Sequence, residues 1–205
     1  MSSARIALSK GANTISRCKI VMEVDDVSAE SSAMNPATRE PDWVKRTPRG
    51  NRLVYLRTAI LNELRRDLSD ILSPKVAKEI FYRTGLAVGR TAMTEIRQMA
   101  GSEEEFWRVR GAIFEARGWG HIASHEKTTH DDGLTVTVIF QDSAFADGVK
   151  ATESVCDILR GAFASGVAIF YGGRVVKSDE TQCRATGAPN CIFIIELKST
   201  PVKTS

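Results

Sequence analysis

Cysteine and histidine are scarce in this 205-residue chain, at four and three residues, and the 28 lysines and arginines are nearly balanced by 25 aspartates and glutamates for a net charge of +3. The basic residues are spread among acids, so no electrostatic footprint for nucleic acid stands out and no direct nucleic-acid binding is expected. No apolar run approaches the ~20 residues of a membrane helix. The opening segment, MSSARIALSKGANT, lacks the continuous apolar stretch of a signal peptide. The expectation is a cytoplasmic protein without a membrane partner. Glycine-rich phosphate loops, a serine elbow and a dinucleotide fingerprint are all missing, which leaves little positive evidence for an enzyme. There is no internal repeat and no low-complexity tract.

What is present has the balance of an ordinary globular protein, with 42% hydrophobic and 26% charged residues, enough for one sizeable core. Residues 15–24, ISRCKIVMEV, read as a strand in which Cys18 is a small packed residue, and 25–52 read as a polar linker. From 57 to 72 the residues Ile60, Leu61, Leu64, Leu68, Ile71 and Leu72 recur at helical steps. Ser73-Pro74 supplies a cap and a first-turn proline for a second helix carrying Val76, Ile80, Phe81, Val88, Ile96 and Met99 toward Gly101. Gly85 and Gly89, four apart, suit a close helix contact or room for a ligand. Ser102-Glu-Glu-Glu105 forms a capping box for a third helix through about Ala116.

Asp131-Asp-Gly133 predicts a turn between antiparallel strands, the second at Leu134–Phe140. Residues 151–170 predict a buried helix with Cys156 near its start, ended by Gly172-Gly173, and strands follow at 174–177 and Cys191–Leu197. The fold class expected is α+β: an antiparallel sheet packed with several amphipathic helices. The predicted divisions are an N-terminal strand and linker over 1–52, a zinc-containing ligand-binding domain over 53–198, and a tail over 199–205.

Three thiols and a carboxylate, Cys156, Cys183, Cys191 and Glu180, stand where one metal ion could gather them. Thiolates with an oxygen donor suit tetrahedral zinc. Gly187 and Pro189-Asn190 allow the chain to turn between Cys183 and Cys191. With all four positions filled by protein the zinc would be structural rather than catalytic. Other readings stay open: bare buried thiols, a Cys183–Cys191 disulfide, or water in place of Glu180, beside which Asp179 also lies. His121, His125 and His130 read as exposed rather than as a cluster. Trp107, Phe114, Phe140 and Phe163, with Trp119, are large groups on converging elements that would line a cavity for a small hydrophobic molecule, or fill the core.

The segment Glu180-x-x-Cys183-Arg-x-x-x-Gly-x-x-x-Cys191, following the helix-like 153–164, resembles the zinc-binding core of the 4-vinyl reductase domain family. That family includes sensor domains of bacterial activators responding to phenols and toluenes. Residues 53–89 are similar to the segment that opens those aromatic-sensing domains. The resemblance implies a homodimer, through the N-terminal strand and first helices. In an ungapped comparison, Trp107 stands where the phenol sensors carry a ligand-contacting histidine, and Phe140 at or near their pocket tryptophan. With that polar anchor gone, the implied ligand is more apolar than phenol, because a hydroxyl buried without a partner costs roughly 1–3 kcal/mol.

The leading expectation is a cytoplasmic sensory or binding module for a small hydrophobic or aromatic molecule. The related activators continue into an ATPase and a DNA-binding region, and this chain ends at Ser205 with neither, so signalling to an unidentified protein partner in trans is expected. The alternatives are a reductase or carrier in tetrapyrrole biosynthesis, and a structural adaptor, since similar folds occur in vesicle-tethering complexes.

Overall fold

The computed structural model describes residues 56–199; the strand predicted at 15–24, Cys18 and the linker through 52 lie outside the described residues. Three helices come first: α1 (Thr58–Ile71), α2 (Pro74–Met99) and α3 (Glu103–Ala116). Ser73 caps α2 by accepting the Val76 amide, with Pro74 in the first turn where its missing N–H leaves no bond unmade. Ser102 accepts the Glu105 amide, and the Glu105 carboxylate accepts the amide of Gly101 rather than that of Ser102, a capping box displaced by one residue.

The hairpin follows as β1 (His121–His130) and β2 (Gly133–Gln141), and then α4 (Asp157–Tyr171), β3 (Gly173–Gln182) and β4 (Cys191–Ser199). The strands form one antiparallel sheet in the order β1-β2-β4-β3. Alternation places Val136, Val138 and Phe140 of β2 beside Cys191, Phe193, Ile195 and Leu197 of β4 on one buried face. Against that face lies α4, whose Phe163 ring is 5.1 Å from Phe193 and 5.7 Å from Phe140. On its other side α4 packs against α2, so it is buried all round, as its uniformly apolar sequence requires.

The α2–α4 contact is made by small residues. A Cβ on Gly85 would stand 2.1 Å from the Ile158 carbonyl oxygen, and one on Gly161 would stand 2.1 Å from that of Tyr82. Gly85 and Gly89 thus serve a close helix crossing. The large residues of the predicted α2 stripe divide: Phe81 and Ile96 are buried, whereas Val76, Ile80 and Met99 are exposed, because the buried face runs through Ala77, Gly85, Gly89 and Ala92. The stripe of α1 divides as well. Leu61 and Leu68 pack on the core; Ile60, Leu64, Ile71 and Leu72 face outward.

The helix predicted over 151–170 begins only at Asp157. Upstream, the Ala151 amide donates to the Ala185 carbonyl oxygen and the Cys156 amide to the Glu180 carboxylate, so these backbone donors serve the loop and not a helical ladder. Among the described residues no helix is long and apolar enough to cross a membrane.

Candidate functional site

Cys156, Glu180, Cys183 and Cys191 reach one point from three elements. Cys156 is the N-cap of α4, Glu180 is near the end of β3, Cys183 follows β3, and Cys191 opens β4. The chain between the last two thiols makes a single 3-10 turn, Arg184–Thr186, and then a left-handed residue at Gly187 (φ 96°), a conformation without steric cost for glycine. Thr186 and Ala188 donate their amides to the Cys183 carbonyl oxygen and close the loop. Strand alternation separates neighbours: Glu180 turns toward the thiols while Asp179 pairs with Lys177 at 3.6 Å on the exposed face.

The four ligand atoms all lie within 4.8 Å of one another. Cys156 Sγ is 3.9 Å from Cys183 Sγ and 3.7 Å from Cys191 Sγ, and all three cysteines are free and buried. The disulfide considered for Cys183 and Cys191 is therefore not formed. Around the sulfurs, the Arg184 amide donates to Cys191 Sγ at 3.4 Å and Ser143 Oγ lies 3.3 Å from Cys156 Sγ. The Glu180 Oε2 atom accepts the Cys156 amide at 2.9 Å, and its Oε1 is buried with no hydrogen-bond partner. This cluster could hold a metal ion.

The electrostatics point the same way. Hydrogen bonds from Cys156 and Cys191 draw the Cys183 thiol strongly down, while Cys156, donating to Cys183 and Cys191 and buried, is pushed strongly up. Burial, followed by the charge on Cys183, raises Glu180 to about 8. Without a cation the protein stabilises one thiolate at the expense of its neighbours; a divalent ion would allow all four groups to ionise together.

The predicted ligand-lining residues separate into two groups. Phe114, Phe140 and Phe163 are mutually packed, with centroids 5.6 Å (114–140), 5.2 Å (114–163) and 5.7 Å (140–163) apart. Trp107 lies two turns earlier on α3, stacked on His125 at 4.3 Å and hydrogen-bonded through Nε1 to Tyr171 Oη at 3.2 Å. Tyr171 in turn donates to Glu103 at 2.8 Å. His125 is therefore half-buried, unlike the exposed side chain expected. Rings fill the space between sheet and α4, and the cavity beside them, between α2, α3 and α4, is about 10 Å³. Sequence reasoning missed Arg110, which is 2% exposed at the edge of that cavity. Its spacing, three residues after Trp107 and four before Phe114, was the available signal.

Two family models match the chain: "Activator of aromatic catabolism" over residues 40–129 and the 4-vinyl reductase domain over residues 136–197. No curated protein matches. Among solved structures, the phenol-responsive sensory domain of the transcription activator PoxR with phenol has a TM-score of 0.62 at 20% identity, covering 76% of this chain and 84% of that one. A vinyl-4-reductase family protein from Methanocaldococcus jannaschii scores 0.47 at 16% identity over 73% and 85% of the two chains. An H-NOX protein from S. oneidensis scores 0.44 at 14% identity over 72% and 78%. The first of these likenesses shows a common fold. In sequence, the chain joins a segment matching the activators of aromatic catabolism to a 4-vinyl reductase domain.

Proposed function

We propose that residues 53–198 form a sensory or binding domain for a small hydrophobic or aromatic molecule, held together by a structural zinc and signalling to a protein partner in trans. The tandem of matched segments, the first described as an activator of aromatic catabolism, carries the sensing part of this reading. The phenol carried by the PoxR domain, which shares the fold, is consistent with it. Trp107, Phe114, Phe140 and Phe163 supply the apolar surface. The molecule works in the cytoplasm and as a homodimer, with the outward apolar residues of α1 and α2 at the interface.

Zinc is supported by the geometry of the donors. Ligands at the ~2.3 Å of a zinc–thiolate bond in a tetrahedron stand about 3.8 Å apart, against sulfur separations of 3.7 and 3.9 Å. The orphaned Oε1 of Glu180 completes the set. Four protein donors leave no position for a substrate, so the ion would fix β3, β4 and the start of α4 rather than catalyse. Such a site contributes on the order of 10 kcal/mol to folding.

The test is elemental analysis and native mass spectrometry of protein purified without added metal. One zinc per subunit, lost together with thermal stability in Cys183→Ser, is the expected outcome; full metal content in that variant would refute the coordination set. A retained organic mass would support sensing. A structural adaptor is the second reading, favoured by the ring-filled core together with the exposed apolar residues of α1 and α2.

A further inference from the structure

Arg110 is a cation buried without an anion. Its Nη2 donates to the Ala162 carbonyl oxygen at 2.6 Å, its Nε has no partner, and the Phe106, Phe114 and Phe163 ring centroids lie 5.7, 5.2 and 5.1 Å from its Cζ. Burial alone lowers its pKa to about 9, with no carboxylate acting on it. Arg117, which lines the same cavity, is matched by Glu95 at 3.9 Å. Aromatic faces and one carbonyl repay only part of the hydration that a guanidinium loses. The space around the group is nonetheless kept by small residues: a Cβ on Gly166 would stand 2.0 Å from Nη1, and Gly89, Ala92 and Ala162 form the opposite wall of the cavity.

We infer that Arg110 receives the anionic group of the ligand, a carboxylate or similarly compact oxyanion carried on an aromatic body, in the cavity between α2, α3 and α4. This rests on the small-molecule reading above and narrows its ligand class. A guanidinium fork matches a carboxylate in shape and charge, and the adjoining rings match an aromatic body. Neutral phenols and hydrocarbons would leave the charge uncompensated. At about 10 Å³ the cavity has the size of one water, so an aromatic acid must part α2 or α3 from α4 to enter. That displacement would carry occupancy to the outer helices.

Isothermal titration calorimetry of the full metal-loaded chain with benzoate and 1-naphthoate, against benzamide, 1-naphthamide and phenol, tests this. The carboxylates are expected to bind on the order of 100-fold more tightly than the amides, a preference abolished in Arg110→Met. Should that variant fail to fold, Gly166→Ala, which crowds Nη1 and leaves the charge in place, is expected to weaken carboxylate binding selectively. Amides or phenol binding as tightly as the carboxylates, or an unchanged preference in either variant, would overturn the anion assignment and leave aromatic sensing standing. If none of the five compounds binds, both readings fall.

Discussion

His125 touches three different chemistries at once: the indole of Trp107, the carboxylate of Glu103 and the ammonium of Lys127. Burial, the largest influence, lowers its pKa, with Glu103 opposing and Lys127 assisting. A histidine whose folded pKa lies below its unfolded value resists protonation, so its contribution to stability is present above the unfolded pKa of about 6.5 and is lost as pH falls through the folded value. The carboxyl of Glu103 is also held low: burial pushes it up, but hydrogen bonds from Lys127 and Tyr171 prevail, and its loss falls in a lower window, below about 4.5. Between pH 7.5 and 5.5, metal-loaded protein should therefore lose up to about 3 °C in melting temperature through His125, a modest effect for a half-exposed ring. His125→Phe should flatten that difference in a calorimetric pH series; an identical slope would remove His125 as its source. At this scale the metal-binding side chains were legible because thiols are rare here and their spacing is distinctive. Arg110 was not, because an arginine on an amphipathic helix ordinarily belongs to the solvent face, and only its register with Trp107 and Phe114 marks it otherwise.

The crossing of α2 and α4 depends on what its residues lack. Since a Cβ on Gly161 would meet the Tyr82 carbonyl oxygen at 2.1 Å and the Leu86 amide nitrogen at 2.8 Å, Gly161→Ala must separate two backbones rather than turn a side chain aside. A loss of about 2 kcal/mol or more is expected. Urea denaturation would measure it, and a stability within about 0.5 kcal/mol of wild type would contradict so close a contact. Large apolar residues at helical steps identify a helix reliably, but they misidentify its buried face when that face is made of alanine and glycine, as Val76 and Ile80 illustrate. The hairpin was legible for the opposite reason: alternation in Leu134–Phe140 and the Asp131-Asp132 turn point to one pairing. The late start of α4 was not, since what holds 151–156 out of the helix is a carboxylate and a carbonyl from more than twenty residues away.

At the scale of the molecule, α1 is joined to the metal-bearing end of α4 by Arg65, which pairs with Asp157 at 2.5 Å and also donates to the Val155 carbonyl oxygen. The opposite side of α1 carries Ile60 and Leu64 outward. If the proposed homodimer uses that surface, the wild-type chain should sediment at twice its 22.5 kDa mass, and Ile60→Glu with Leu64→Glu should halve the observed mass while zinc content is retained. A wild-type monomer at micromolar concentration would dispose of the interface. The α+β architecture could be foreseen from the order of elements, whereas the filled aromatic core could not, since sequence gives ring positions but not the distances between them.

The two matched segments meet inside the hairpin: β1 closes the first and β2 opens the second, yet the two strands exchange backbone hydrogen bonds along their whole length. What looks like a boundary between modules is a seam within one sheet. Severing the chain there would leave each half with an unpaired strand edge, so neither segment could be inherited or transplanted alone without a partner strand waiting to receive it.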